Sequence, residues 1–221
     1  MINLDYTEHA VQEVRIVNDD LFELLVARNG MEFTPGDCVA IYTDEDKSRP
    51  YSIASGSNEE TLCFVVRKMD GGEVSPWLMA REPGDLVRIT PPFGWFRPGQ
   101  DADDAPFVFL ATGTGVAPFL SYIKTFDNPP ARCLYGVRRE ADAIGYEELR
   151  MHCPTHLAVS KEQADGHHQG RITDLLHLLP LDSVTHYYCC GLESMVNDVS
   201  AWLQQNGIGL SHIHREVFFH G

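Results

Sequence analysis

Ala111-Thr112-Gly113-Thr114-Gly115-Val116-Ala117-Pro118 closes one apolar run, Phe107–Ala111, and opens a helical one, Val116–Phe126. Gly113 and Gly115 permit a tight turn and a close backbone approach to a pyrophosphate, and Pro118 presets the first helical turn. A glycine-rich loop alone says little. The remainder of the chain says more, because apolar runs alternate with helical stretches to its end: Arg132–Val137 then Tyr146–Arg150, His156–Val159 then Ile172–Leu179, Thr185–Cys190 then Leu192–Gln205. Such alternation predicts a parallel sheet with helices on both faces. Ligands of these sheets bind at the carboxyl ends of the strands, so chemistry should gather just after Ala111, Val137, Val159 and Cys190. Cys189-Cys-Gly-Leu-Glu-Ser-Met195 repeats the strand-turn-helix pattern, although a cysteine at a strand end reads equally well as packing.

Upstream, the pattern is different. From Val11 to about Pro92 the chain falls into short runs rich in β-branched residues, Val11–Val17, Leu21–Arg28, Asp37–Tyr42, Tyr51–Ala54, Thr61–Arg67 and Asp85–Thr90, punctuated by Gly, Pro, Asn and Asp. Close spacing of short strands predicts a small antiparallel β-barrel. One helix interrupts it at Ser75–Arg81, with Ser75 as N-cap and Pro76 at the first helical position. Between Arg97 and Pro106 the sequence is polar and rich in turn formers, as in a linker. The expected organisation is therefore a barrel domain over residues 1–98, a linker over 99–106 and an α/β domain over 107–221.

Composition narrows the function. With 32 acidic and 17 basic residues the formal net charge is −15, which repels nucleic acid phosphates. No apolar run approaches the roughly 20 residues needed to span a bilayer. The amino terminus has no basic stretch followed by an apolar core, so a cytoplasmic protein is expected. Six cysteines are present and none has C-x-x-C spacing, so neither a metal site nor an iron–sulfur ligand set is expected on this chain. Only four of the basic residues are lysines, which leaves arginine for specific anion contacts.

Arg49-Pro50-Tyr51-Ser52 combines a planar donor fork for phosphate, a flat aromatic face and a hydroxyl able to meet a ring nitrogen. Taken alone these four also suit an ordinary strand. Gly71-Gly-Glu-Val-Ser75 is a flexible turn running into the capped helix, where backbone N–H groups can meet an anion.

These four clusters, in their order along the chain, resemble the ferredoxin–NADP reductase family over nearly the whole chain, and the joint match is more specific than any one motif. The resemblance implies FAD and NADP(H) as cofactors. For FAD it implies Arg49 on the pyrophosphate, Tyr51 with Pro50 against the flavin, Ser52 near its reactive nitrogen, backbone contacts from Val66, Arg67 and Lys68, a pyrophosphate turn at Gly72, Val74 and Ser75, and an approach by Thr114. Pro92-Phe-Gly-Trp-Phe96 is similar to the segment that closes the family's barrel. For NADP it implies Thr112, Gly113, Gly115 and Pro118, then Cys190, Gly191 and Met195, with Cys190 beside the nicotinamide. The 2′-phosphate site falls on Ser160, Lys161 and Arg171, with Arg138 as a further contact. Many members carry arginine where Lys161 stands.

The terminal segment Arg215–Gly221 is similar to one holding a glutamate and an aromatic ring at the flavin. That implies Glu216 as a catalytic residue with Ser52 and Cys190, and Phe218 or Phe219 as the ring, since the usual terminal tyrosine or tryptophan is absent. The implied activity is hydride transfer between NADP(H) and FAD, with ferredoxin or flavodoxin as one-electron partner. Ferredoxins are commonly acidic, so an acidic reductase must cluster its cations at the flavin edge, and Arg49, Arg67, Lys68, Arg97 and Arg215 are the candidates. Two alternatives share the architecture, the reductase component of an oxygenase and a free-flavin reductase. A third, from another class, is a flavin-binding regulatory subunit without turnover.

Overall fold

The computed structural model describes residues 6–102 and 104–218. Six antiparallel strands form the first sheet in the order β4-β3-β6-β1-β2-β5, built from β1 (Thr7–Asn18), β2 (Leu21–Ala27), β3 (Cys38–Tyr42), β4 (Ser48–Ser52), β5 (Thr61–Arg67) and β6 (Leu86–Ile89). β1 pairs β6 through Thr7–Ala10 and β2 through Val11–Asn18, with register shifts at Val11/Glu13 and Ile16/Asn18. Bulges of this kind bend a strand and increase its twist, which lets one long strand serve both sides of a curved sheet. An isolated Ile53–Phe64 bridge joins the end of β4 to β5 and closes the barrel.

Period-two alternation explains why β5 is buried on both faces. Leu62, Phe64 and Val66 enter the barrel core with Phe22, Leu24 and Val26, whereas Cys63 and Val65 face the second half of the molecule. The outward face of the barrel is thus the floor on which the other domain rests.

That second domain holds a parallel sheet in the order β10-β9-β8-β7-β11-β12, from β7 (Phe107–Thr112), β8 (Arg132–Val137), β9 (Thr155–Val159), β10 (His168–Gln169), β11 (His186–Leu192) and β12 (Ile213–Phe218). Its strands also split by parity. Phe109, Tyr135 and Tyr188 pack toward the barrel, and Val108, Leu110, Leu134 and Tyr187 pack toward the opposite layer. Helices α2 (Ala117–Thr125), α3 (Tyr146–His152) and α4 (Glu193–Gln205) cover the sheet, while the third crossover is a 3₁₀ segment, Ile172–Leu178. The chain leaves β7 in one direction through β8, β9 and β10, then returns to its other side as β11 and β12. This reversal opens a crevice between the carboxyl ends of β7 and β11.

One local expectation is corrected. The barrel helix, α1, is Val74–Met79 with Glu73 at the cap position, so Ser75 lies inside it and Pro76 is its third residue. The Ser75 hydroxyl instead accepts the Met69 N–H at 2.9 Å. It ties the glycine turn to the helix rather than capping it. The segment expected as a linker is packed: Ala102 is buried, Gln100 donates to the Pro35 carbonyl at 2.9 Å, and a side chain at Gly99 would strike the Tyr122 ring.

Candidate functional site

Two clefts meet along the seam between the domains. The larger has a volume of about 1450 Å³ and runs from Arg49, Tyr51 and Ser52 on β4, past Val66 and the Gly71–Ser75 turn, to Glu216 and Phe218 on β12. Pockets for drug-sized ligands span roughly 300–1,000 Å³, so this one has room for a dinucleotide. The smaller, about 280 Å³, lies over the carboxyl ends of β7, β8, β9 and β11. Arg67, Thr114 and Phe218 border both.

Of the residues expected around FAD, the large cleft gathers Arg49, Pro50, Tyr51, Ser52, Val66, Arg67, Gly72, Val74, Ser75, Thr114 and Phe218. Lys68 is not among its lining residues; its N–H donates to the Asp20 carbonyl at 2.7 Å. Phe219 lies outside the described residues. At six residues α1 contributes little aligned dipole, so any anion here is met by the turn and by Arg49. The Arg49 side chain is exposed and donates to the Ser48 carbonyl.

Of the residues expected around NADP, the small cleft gathers Thr112, Gly113, Arg138, Ser160, Lys161, Arg171, Gly191 and Met195. Gly115 and Pro118 line neither cleft. Gly115 is needed for packing, because a Cβ there would land on the Cys190 carbonyl and the Gly191 Cα. Gly191 has φ +133° and a Cβ would meet the Thr112 backbone. Glycine at both places lets the ends of β7 and β11 touch, and Thr112 Oγ1 accepts the Leu192 N–H at 2.9 Å across the same gap. Gly113, with φ +53°, has open space on its Cβ side, and its carbonyl is held from beneath by the buried Tyr135 hydroxyl at 3.3 Å.

Ser52, Cys190 and Glu216 come together from β4, β11 and β12. Glu216 Oε2 accepts from Ser52 Oγ at 3.4 Å and from Cys190 Sγ at 3.5 Å. Cys190 is fully buried and lines neither cleft, so it acts on the carboxyl from behind. Cys38, unassigned by the sequence, completes the set: its thiol lies 3.6 Å from Glu216 Oε1 and 3.3 Å from Ser52 Oγ. Burial pushes the Glu216 carboxyl above its ordinary range, and the hydrogen bonds from Cys190, Cys38 and Ser52, with the charge of Arg97, oppose the rise. Burial also raises both thiols, Cys38 to about 12 and Cys190 well above its usual value, so each keeps its proton and donates.

The same two-part plan is found in known proteins. The oxidoreductase FAD-binding domain profile matches residues 3–97 and the oxidoreductase NAD-binding domain profile matches residues 109–201. The chain belongs to the ferredoxin–NADP reductase family. A flavodoxin/ferredoxin–NADP reductase of Shigella flexneri is 29% identical over 218 residues, covering 88% of both chains. The reductase component of the naphthalene 1,2-dioxygenase/salicylate 5-hydroxylase systems of a Ralstonia species is 29% identical over 204 residues, 86% of this chain and 61% of its own length. The chain thus spans less than two thirds of that relative, as it does of the matching Pseudomonas putida naphthalene 1,2-dioxygenase reductase, at 62%. A ferredoxin NADP+ reductase of Neisseria gonorrhoeae, solved with FAD and NADP bound, superposes with a TM-score of 0.85 at 21% identity, covering 97% of this chain and 99% of that one, a likeness of fold.

The reductase family uses FAD and NADP(H). The large cleft suits the first by its length, its arginine-and-glycine-turn end and its aromatic and hydroxyl end. The small cleft suits the second by its open glycine loop and exposed cations. No helix among the described residues is long and apolar enough to cross a membrane.

Proposed function

We propose that this reductase transfers a hydride between NADP(H) and FAD and exchanges electrons singly with a one-electron carrier such as ferredoxin or flavodoxin, in the cytoplasm. The observation that carries the reading is the meeting of the two clefts at Arg67, Thr114 and Phe218, with Ser52 and Glu216 in the wall of the larger one. FAD, when bound, supplies a ring that takes two electrons together and returns them one at a time; the protein supplies alignment, dielectric and hydrogen bonds. Arg49 and the Gly71–Ser75 turn would hold the diphosphate, and Tyr51 and Phe218 would offer flat faces to the ring. Ser52 Oγ keeps a proton between the cleft and the Glu216 carboxyl, and the three donors on that carboxyl fix its direction. Thr114, bordering both clefts, would be in reach of both cofactors.

Charge at the cleft supports an acidic carrier. Arg67 pairs with Asp20 and Asp142, and Arg97 with Asp37. Arg49 and Arg215 have no ion-pair partner among the described residues, so these two cations border the flavin site unpaired, although Asp70, Glu73 and Asp101 line the same cleft. A second reading, the reductase component of an oxygenase, is favoured by the Ralstonia and Pseudomonas putida relatives. The turn at Gly72–Ser75 disfavours a free-flavin reductase, and the formed second cleft disfavours a regulatory subunit without turnover.

The purified protein is expected to be yellow, with about one noncovalent FAD per chain, because Arg49 and the glycine turn are both present to hold a diphosphate. Recovery of FMN instead would remove the role given to Gly72–Ser75. Arg49 is exposed, so its charged hydrogen bonds sit at the low end of roughly 1.5–3 kcal/mol, and Arg49→Ala should weaken FAD retention about tenfold. Ser52→Ala should keep the flavin and slow its reduction by NADPH up to about tenfold in stopped flow. Equal flavin loss in both variants would show the roles wrongly divided, and absence of NADPH-driven bleaching in wild type would leave the regulatory reading.

A further inference from the structure

Glu216 receives more hydrogen-bond donors than a carboxyl in a two-residue relay needs. Ser52 and Cys190 both reach Oε2, and Oε1 is met by Cys38 alone among the side-chain hydrogen bonds described. Cys38 is itself fixed tightly. It is the residue directly opposite Ser52 in the β3–β4 ladder, so both side chains leave the same face of the sheet. On its other side its N–H donates to the Phe93 carbonyl at 2.7 Å and its carbonyl accepts the Phe93 N–H at 2.8 Å. With the backbone held on both sides, the thiol has little freedom except rotation about one bond. It lies 3.6 Å from Oε1 and contributes a weak S–H donor.

We propose that Cys38 is a positioning residue for Glu216, its thiol holding Oε1 so that Oε2 remains on Ser52 and Cys190. The inference rests on the part assigned to Ser52 and Glu216 in hydride transfer. It adds a residue from β3, a strand that the nucleotide motifs do not touch, and makes the carboxyl a junction of four strands: β3, β4, β11 and β12. Without the thiol, Oε1 faces the large cleft that Glu216 lines, and the carboxyl can rotate away from the serine. The charged and titratable groups around it are Cys38 and Asp37 from the barrel, Cys190 from β11, Arg97 from the segment after β6, and His214 two residues before it on its own strand. Arg97 is engaged by Asp37 at 2.8 Å, so the nearest cation is already partly compensated.

Removing a donor from an ionised carboxyl favours its protonated form. The test is the titration of Glu216 in the flavin-loaded full chain, followed by NMR of protein carrying carboxyl-labelled glutamate, with Glu216→Gln to assign the signal. Cys38→Ala and Cys38→Val should both raise the Glu216 midpoint, by roughly half a unit to one unit, whereas Cys38→Ser, which keeps a donor, should leave it near the wild-type value. An unmoved midpoint in the alanine and valine variants, or an equal rise in all three, overturns the proposal. Should the barrel reject these changes, the S–H stretch of Cys38 in otherwise intact protein reports the same contact: it should shift when Glu216 becomes glutamine, and a stationary band overturns the proposal. The acid limb of NADPH-driven flavin reduction should move with the NMR midpoint. A shifted midpoint with an unshifted limb would preserve the Cys38–Glu216 contact and overturn the role of Glu216 in the reaction.

Discussion

Asp142→Ala is expected to lower stability by about 3 kcal/mol, read as a drop in the urea midpoint with little change in slope. Asp142 ends the short 3₁₀ turn Glu140–Asp142 after β8, and its side chain is only 3% exposed. It accepts Asn18 Nδ2 at 2.8 Å and Arg67 Nη2 at 3.4 Å, both from the barrel. The aspartate is therefore a polar latch across the domain seam, with the Arg67 side chain at 13% exposure. Truncating one partner of a buried pair typically costs about 3–5 kcal/mol, because the remaining charge stays desolvated. Asp20 still meets Arg67 at 2.6 Å, which places the loss at the lower end. Asp20 is itself 39% exposed, so Asp20→Ala should cost under about 1 kcal/mol. Replacing both buried partners, Arg67→Met with Asp142→Leu, should recover most of the loss. Equal, small effects of Asp142→Ala and Asp20→Ala would show that the latch contributes nothing beyond a surface pair.

The latch is invisible in the sequence for a physical reason that applies to much of the site. Patterns of period two and the strand-helix alternation depend on neighbours along the chain, so the two sheets and the positions of Arg49–Ser52 and Thr112–Gly113 can be read directly. Asp142 and Arg67 are 75 residues apart, and no local pattern marks an aspartate after a buried tyrosine strand as the partner of an arginine in a barrel. Cys38 is hidden in a similar way. Its apolar neighbours Val39 and Ile41 suggest packing, and only the register pairing Cys38 with Ser52 shows the thiol facing the hydroxyl. β10 escapes because it is two residues long, and β12, Ile-His-Arg-Glu-Val-Phe, is polar enough that an edge strand is only one of its readings. Ser75 fails as an N-cap since the turn at Gly71, φ +73°, brings Met69 over its hydroxyl, and the helix starts two residues earlier, with Glu73 at the cap position.

NADPH is expected to be preferred over NADH by about 100-fold in kcat/KM. NADPH differs by a 2′-phosphate, and the small cleft presents Arg138, Ser160, Lys161 and Arg171 over the ends of β8 and β9. Charged hydrogen bonds contribute roughly 1.5–3 kcal/mol each, so two of them could favour NADPH by about two to four powers of ten. Three facts pull toward the lower end. All four side chains are exposed, and exposed pairs are weakened by solvent. Lys161 lacks the bidentate fork of arginine. Arg171 has an anion beside it: the hydrogen bond from His168, joined by the one from the Arg171 N–H at 2.9 Å, keeps Asp174 below its ordinary range and ionised. Part of the Arg171 charge is therefore answered before any phosphate arrives. Arg171→Ala should still reduce the NADPH reaction about tenfold while leaving the NADH reaction nearly unchanged, since only the phosphate distinguishes them. The measurement is kcat/KM for both nucleotides in wild type and in this variant. Equal use of both by the wild type, or an unchanged ratio in the variant, would remove Lys161 and Arg171 from nucleotide selection.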